Sequence, residues 1–217
     1  MGNDHYDRLK QIVLDFDIDN AEDVAREALE AGSDPVKCAE AMSEALKIIG
    51  DKFGTGEMFL TELVGASEVV KAALPKIIEK IHELGKDVTS LGIVVIGTVF
   101  GDIHSIGKSM VATLLFAEGF EVEDLGVNVT AESFLAAVKE KSPDILAMSA
   151  LLTTTSMEQK NVIEGLKAEG VRDKVKVMVG GSPINQEFAD RIGADGYGAT
   201  APEAVKLARQ LTGKQGG

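Results

Sequence analysis

Three short segments in the second half of the sequence contain residue types that could bind a ligand or move a proton. In the first, Asp102-Ile103-His104-Ser105-Ile106-Gly107, an imidazole follows a carboxylate by two residues. The second, Ser149 to Thr155, is rich in hydroxyl groups, and the third is Gly180-Gly181-Ser182-Pro183. Glycine lets the backbone approach a bulky ligand closely. An imidazole, hydroxyl groups and glycines together suit a large cofactor better than a small anion.

The same residues are also compatible with two other kinds of site. Glycine-rich turns that lead into a helix can bind phosphate through backbone amides. The segment from Gly97 to Gly107 fits neither G-x-x-x-x-G-K-[ST] nor G-x-G-x-x-G, although Gly107-Lys108-Ser109 resembles the end of the first motif. Asp102 and His104 could instead form a catalytic acid and base pair, which the sequence alone permits.

The elements that must position these segments follow from the hydrophobic pattern. Short β-rich runs are predicted at Ile93–Val99, Glu121–Leu125, Ile145–Ser149, Val175–Val179 and Asp195–Tyr197. The helical stretches are predicted at residues 106–118, 131–140, 157–169, 186–192 and 202–211. This alternation predicts a parallel sheet with helices on both faces, because each parallel pair needs a crossover that packs on the sheet. Such sheets bind ligands just past the carboxyl ends of their strands, where all three segments lie.

The first part of the sequence is predicted to be helical. From about Ala21 to Leu84 the apolar residues recur at helical spacing. Pro75 either kinks the long second helix of this region or splits it, because proline removes an internal hydrogen bond. The polar and flexible residues 85–90 end the helical pattern. We therefore predict a helical domain over residues 1–87 and an α/β domain over residues 88–217.

Length, charge and cysteine content limit the classes of function. A chain of 217 residues can form two small domains that each bury a core. Its formal charge of −13 repels phosphate backbones and anionic membranes, so neither nucleic acid nor a membrane is an expected partner. No apolar run approaches the roughly 20 residues that span a bilayer, and the first residues lack a signal-peptide core, which predicts a cytoplasmic protein. Cys38, the one cysteine, is expected to be a small buried residue of a helix.

The three segments, in this order, resemble a known family. D-x-H-x-x-G at residues 102–107, S-x-L at residues 149–151 and G-G at residues 180–181 resemble the fingerprint of cobalamin-binding domains. Upstream, residues 50–63 resemble the helical cap of cobalamin-dependent methionine synthase and of the small corrinoid proteins of methanol, methylamine and methoxyl-group methyltransferase systems. The resemblance covers roughly residues 20–212. It implies an N-terminal helical bundle cap followed by a flavodoxin-like (Rossmann-type) five-stranded parallel sheet with helices on both faces.

The resemblance also implies a cofactor and a role for individual residues. The cofactor is cobalamin or a related corrinoid, bound base-off with His104 as the lower ligand to cobalt. Asp102 would orient the imidazole, and Ser149 would hydrogen-bond Asp102 and complete a relay. The residues implied at the cofactor or along the channel for its displaced nucleotide tail are Ile103, Ser105, Ile106, Gly107, Leu151, Thr153, Gly180 and Gly181, with Tyr197, Gly198 and Ala199 at the far rim. The residues implied above the cobalt-bound methyl group are Phe53 and Leu60, with Met58 and Phe59 beside them.

The function that the resemblance implies is that of a methyl carrier. A substrate-specific methyltransferase loads a methyl group onto cobalt, and a second methyltransferase moves it to tetrahydrofolate or coenzyme M. A reductive activase is a third implied partner, and the chain catalyses nothing alone. Two alternatives share the same binding domain: a cobalamin-responsive regulator or light sensor, and the small subunit of a radical mutase. The acidity of the chain argues against a DNA-binding regulator, and the cap segment from Phe53 to Leu63 argues against the mutase subunit.

Overall fold

The computed structural model of the protein describes residues 3–84 and 90–213. The chain divides into two compact units, residues 1–89 and residues 90–217. The boundary that the sequence predicts, between residues 87 and 88, lies outside the described residues. Neither unit contains, within its described residues, a helix that is long and apolar enough to cross a membrane.

The first unit consists of helices over its described length. They are α1 (Asn3–Leu14), α2 (Ala21–Glu30), α3 (Pro35–Thr55) and α4 (Leu60–Glu83). Helix α3 packs against α1 and α4, and α2 packs against α4. The interior is filled by side chains that recur at helical spacing, among them Leu9, Met42, Leu46, Ile49, Leu63, Ile77 and Ile81.

Local sequence explains how these helices begin and continue. Helix α3 begins where the Asp34 side chain accepts a hydrogen bond from the Val36 amide at 3.0 Å, with a proline in the first turn. Helix α4 runs through Pro75 without a break, so the proline does not split it. Cys38 is buried, and burial, assisted by the nearby Asp34 carboxylate, raises the pKa of its thiol to about 11. The thiol therefore stays protonated and serves as a small apolar residue.

The second unit is an α/β domain, which confirms the predicted fold class. Its strands are β1 (Ile93–Thr98), β2 (Glu121–Asp124), β3 (Ile145–Ser149), β4 (Lys176–Gly180) and β5 (Gly196–Tyr197). Its helices are α5 (Ile106–Ala117), α6 (Ala131–Lys141), α7 (Met157–Ala168), α8 (Gln186–Ile192) and α9 (Ala201–Thr212). All strand pairs are parallel, in the order β2-β1-β3-β4-β5. Each connection between successive strands contains a helix, as parallel pairing requires.

The strand order determines where the three polar segments meet. The order reverses between β1 and β3, which are neighbours in the sheet although β2 lies between them in sequence. At the carboxyl edge Thr98 pairs with Ser149, and Ser149 pairs with Gly180. The loops that follow β1, β3 and β4 therefore start side by side at the switch point, where open α/β sheets bind ligands.

Candidate functional site

The loop between β1 and α5 holds an aspartate and a histidine in direct contact. The Oδ1 atom of Asp102 accepts a hydrogen bond from the His104 backbone amide at 3.0 Å and lies 2.7 Å from Nδ1 of the same residue. The Asp102 side chain is fully buried, whereas the His104 side chain is 47% exposed. The pair thus presents an imidazole to the outside while its carboxylate partner is shielded from water.

Three further donors reach the other carboxylate oxygen of Asp102. Its Oδ2 accepts from the amides of Leu151 at 2.8 Å and Leu152 at 3.3 Å, and from the Thr155 hydroxyl at 2.8 Å. Burial by itself raises the pKa of Asp102. The hydrogen bonds donated by His104, Leu151 and Thr155 outweigh burial and hold the pKa of Asp102 well below its usual range.

An ionised Asp102 determines which imidazole nitrogen is available. A carboxylate can only accept hydrogen bonds, so the 2.7 Å contact assigns the ring proton of a neutral His104 to Nδ1. Nε2 then carries the lone pair, on a side chain that is about half exposed. This is the arrangement of a metal-ligating histidine whose second nitrogen donates to a carboxylate.

The hydroxyl group on Asp102 belongs to Thr155 and not to Ser149, which corrects the prediction. Ser149 is the last residue of β3, and its side chain lies at a cavity beside the strand ends. Five residues follow in a loop, and Thr155 then returns to the carboxylate just before α7. Thr155 is buried, whereas Thr153 and Thr154 are exposed. The only sequence signal for Thr155 was its place at the end of a threonine run before a predicted helix.

A cavity of about 340 Å³ lies beside the imidazole, at the carboxyl edge of the sheet. This volume is within the range of small-molecule sites. The predicted site residues that line it are His104, Gly107, Ser149, Leu151, Gly180, Gly181, Tyr197, Gly198 and Ala199. The sequence prediction missed the wall formed by the two flanking helices, which contributes Lys108, Met110, Val111, Thr200, Ala201 and Ala204. Thr153 was predicted to line the channel, but it is exposed in the loop after β3 and is not among the lining residues.

The glycines of this region serve different purposes. A Cβ atom on Gly107 would meet nothing within 4 Å, so this position borders open space in the cavity wall. A Cβ atom on Gly181, whose φ is +128°, would lie 1.7 Å from the Ala150 carbonyl oxygen. The resemblance implies that both glycines leave space for a ligand. The structure supports this reason at Gly107, whereas Gly181 is needed because the protein's own backbone comes too close for a side chain.

Exposed apolar side chains occur next to His104 in the sequence and in the loop after β3. Ile103 is 75% and Ile106 is 66% exposed, and Ser105 between them is exposed as well. Leu151 and Leu152, whose amides hold Asp102, also expose much of their side chains. Clusters of exposed apolar residues of this kind mark surfaces that bind a ligand or a partner.

The donor set around His104 fits a metal that arrives with most of its own ligands. Over residues 3–84 and 90–213 there is no group of three or more His, Cys, Asp or Glu side chains that could hold a metal ion. A corrinoid supplies four equatorial nitrogens, so the protein needs to supply one axial ligand. A lone imidazole with a free Nε2, exposed apolar residues next to it in the sequence and a cavity beside it fit such a group.

The residues assigned to the upper face lie where α3 ends and α4 begins. Phe53 is in the last turns of α3, Met58 and Phe59 are in the turn, and Leu60 is the first residue of α4. Phe59 is 73% exposed and the other three are half-buried, so none belongs to the buried core of the helical unit. The Glu62 carboxylate fixes this turn by accepting a hydrogen bond from the Phe59 amide at 2.6 Å.

Comparison with known proteins matches both units of the chain. Residues 92–206 match a family model described as a B12 binding domain, and residues 6–77 match a second model of the same description. The trimethylamine corrinoid protein of Methanosarcina barkeri is 46% identical over 199 residues, which are 91% of this chain and 92% of that protein. The dimethylamine corrinoid protein of the same organism is 44% identical over 172 residues, 79% of this chain and 80% of that protein.

A solved structure shares the architecture as well. One chain of the methanol:cobalamin methyltransferase complex MtaBC from Methanosarcina barkeri superposes on this chain with a TM-score of 0.85 and 28% identity. The match covers 100% of this chain and 82% of the chain from the complex. The matching family models, the high identity over nearly the whole length and the common fold lead to one conclusion: this chain belongs to the family of B12-binding corrinoid proteins.

Proposed function

We propose that this protein is a corrinoid methyl carrier in which His104 is the lower axial ligand of cobalt. The observation that supports this role most directly is the buried, ionised Asp102 at Nδ1 of His104, which leaves the lone pair on Nε2 of a half-exposed side chain. A corrinoid, when bound, supplies a cobalt centre that accepts a methyl group from one substrate and gives it to another.

The residues around His104 have separate tasks in this proposal. Asp102 keeps the imidazole in the tautomer that can ligate cobalt, and Thr155 keeps Asp102 ionised and oriented. The cavity lined by Gly107 and Gly180 is the proposed channel for the nucleotide tail, which His104 would displace in the base-off, His-on state. The exposed apolar side chains beside His104 would contact the edge of the macrocycle.

The resemblance leads us to propose that the upper face is shielded by Phe53, Met58, Phe59 and Leu60. Their apolar character suits this task, because a reactive reduced metal centre must be kept from water and oxidants. Their exposure within the helical unit supports the proposal, since a residue that only fills the core of that unit would be buried.

We propose partners of three kinds, in the cytoplasm. A substrate-specific methyltransferase donates the methyl group, a second methyltransferase transfers it to tetrahydrofolate or coenzyme M, and a reductive activase restores the reduced metal. We further propose a methylamine as the donor class, because relatives that are 46% and 44% identical are named trimethylamine and dimethylamine corrinoid proteins. Methanol is the alternative donor that the 28% identical structure suggests.

The experiment that tests the proposal is a spectroscopic titration of purified apoprotein with hydroxocobalamin. We expect the wild type to retain cobalamin after free cofactor is removed and to show nitrogen hyperfine splitting from His104 in the Co(II) electron paramagnetic resonance spectrum. His104→Ala should lose this splitting, whereas the control variant His5→Ala, in α1, should keep it. No retention by the wild type would return Asp102 and His104 to the role of a catalytic acid and base pair.

A further inference from the structure

The loop between β2 and α6 contains an unusual backbone conformation. Asn128 has a φ of 55° and is, with Phe16 and Ser142, one of three non-glycine residues with positive φ among residues 3–84 and 90–213. Few non-glycine residues adopt this left-handed conformation; asparagine is among those that tolerate it best, and such positions are over-represented at functional sites. The contacts of Asn128 indicate what this conformation provides.

Asn128 holds two consecutive residues of the loop that contains His104. Its side-chain Oδ1 accepts a hydrogen bond from the Gly101 amide at 2.8 Å. Its backbone amide donates to the Asp102 carbonyl at 2.9 Å. In the left-handed conformation both groups of one residue thus face the same loop, 27 positions away from Gly101 in sequence.

Asp102 is therefore held from two sides. The loop after β3 holds its side chain through Leu151, Leu152 and Thr155, and the loop after β2 holds its main chain through Asn128. The His104 ring contacts the Asp102 carboxylate through Nδ1, so the orientation of the ring depends on the contacts that hold both the side chain and the main chain of Asp102. Without the Asn128 side chain the carboxylate would stay anchored and the Asp102 amide would still donate to the Val99 carbonyl at 3.2 Å, but the Gly101 amide would lose its hydrogen-bond acceptor.

The other end of the same loop is fixed independently of Asn128. The Thr98 hydroxyl, fully buried in β1, donates to the His104 carbonyl at 2.9 Å. The Lys108 side chain, in the first turn of α5, is almost fully buried and pairs with Asp124 at the end of β2. Since these contacts lie at or after His104, Asn128 is the residue of the β2–α6 loop that holds the segment before the imidazole.

We infer that Asn128 is a positioning residue that acts through Gly101 and Asp102 to hold the His104 imidazole in the direction from which Nε2 can ligate cobalt. The inference rests on the proposed function of His104. It assigns to the β2–α6 loop a task in setting the strength of imidazole ligation, although this loop has no ligand of its own to the metal.

The test is a double-mutant cycle on corrinoid affinity. Apoproteins are titrated with cobinamide, a corrinoid without a nucleotide tail, so that imidazole ligation contributes most to retention. We expect Asn128→Gly to raise the Kd roughly two- to tenfold, the effect of one net hydrogen bond. Glycine accepts the left-handed backbone, so this variant removes the side-chain acceptor without straining the fold. In a His104→Ala background the same substitution should leave the Kd unchanged, because the effect runs through the imidazole.

Two further variants separate positioning from general loosening. Asn128→Asp keeps an oxygen acceptor for the Gly101 amide and should return the Kd to near the wild-type value. Ser142→Gly is the matched control, because Ser142 has a φ of 47° but ends α6 with no contact to the His104 loop. Its Kd should equal that of the wild type. In apoprotein, amide hydrogen exchange at Gly101 should be faster in Asn128→Gly than in Ser142→Gly.

The outcomes that would overturn the inference are distinct from those that would overturn the proposed function. An unchanged Kd in Asn128→Gly, or an equal rise with and without His104, would show that Asn128 does not act through the imidazole. Failure of Asn128→Asp to restore affinity would do the same. Absence of imidazole ligation in the wild type itself would instead remove the proposed role of His104 and this inference together.

Discussion

In the α/β unit the proposed cobalt ligand and the groups that support it, His104, Asp102 and Thr155, are polar and fixed by hydrogen bonds, whereas in the helical unit the residues assigned to the cofactor are apolar and partly exposed. Asp102 accepts five hydrogen-bond contacts from four residues, while Phe59 exposes most of its ring. A ligand nitrogen must point in one direction, which needs oriented bonds. A shield only needs to exclude water, which apolar surface achieves without fixed partners. The two regions should therefore respond differently to substitution.

The largest effect is expected where the fold of the α/β unit leaves no room for a side chain. Gly181→Ala would place a Cβ atom 1.7 Å from the Ala150 carbonyl oxygen at a φ of +128°. We expect a loss of about 3 kcal/mol or more in the free energy of unfolding, measured by urea denaturation. The control is Gly170→Ala, where φ is +67° but nothing lies within 4 Å, and we expect a loss of about 1 kcal/mol there. Equal losses would mean that Gly181 is not closely packed.

The second-largest effect is expected on cobalamin affinity, with little change in the free energy of unfolding. Gly107→Leu adds a side chain in open space at the cavity wall, in the first turn of α5. Cobalamin affinity should fall roughly 100-fold, which corresponds to about 2.8 kcal/mol, because the side chain occupies the proposed tail channel. The free energy of unfolding should change by less than about 1 kcal/mol, since leucine is a better helix former than glycine. Gly107→Ala, with only one added methyl group, should bind nearly normally; normal affinity in Gly107→Leu would place the channel elsewhere.

A smaller effect tests which hydroxyl group supports Asp102. Thr155→Val removes one donor to the carboxylate, so the pKa of Asp102 should rise. The free energy of unfolding should fall by about 1.5–3 kcal/mol at neutral pH. Because the folded-state pKa of Asp102 lies below its ordinary value, its ionisation stabilises the fold above about pH 3.9 and is lost as pH falls. The difference between wild type and variant should thus be largest near pH 7 and shrink in acid.

The free energy of unfolding is measured as a function of pH, and two variants serve as controls. Thr153→Val alters an exposed threonine of the same run and should leave the acid limb of the profile unchanged. Ser149→Ala should leave it unchanged as well, because Ser149 lines the cavity and Thr155 donates to Asp102. An acid limb that responds to Ser149→Ala and not to Thr155→Val would restore the serine to the carboxylate.

The sequence predicts the architecture of the α/β unit well because its signals are local. The alternation of strand and helix patterns predicts where each strand lies in the sequence. Because the strands pair in parallel, the three polar segments that follow them lie at one edge of the sheet. Local pattern is weaker for α1, which was not predicted. Its buried face consists mainly of Leu9, Ile12 and Val13 within an otherwise polar stretch. Tertiary packing against α3 stabilises this helix more than its own periodicity indicates.

Contacts between loops are the part of the site that sequence reasoning misses. Residues Thr153, Thr154 and Thr155 are chemically identical, and only the path of the loop after β3 brings the third to Asp102. The Lys108 side chain is buried, and it pairs there with Asp124, a residue 16 positions away in sequence. Neither contact leaves a periodic signal, because each joins residues that are distant in sequence and belong to different segments of the fold.

The smallest change in stability is expected in the helical unit, and it is the change that tests the comparison most directly. Phe59→Ala removes a ring that is 73% exposed, so the free energy of unfolding should change by less than about 0.5 kcal/mol. Met42→Ala, in the buried core of the same unit, should cost about 2–5 kcal/mol. If Phe59 shields the upper face, its loss should nevertheless speed the air oxidation of reduced bound cobalamin, followed by absorbance, while His104 ligation stays intact. A variant that is destabilised like Met42→Ala, with an unchanged oxidation rate, would make Phe59 a structural residue. Unchanged stability together with an unchanged oxidation rate would exclude Phe59 from both roles.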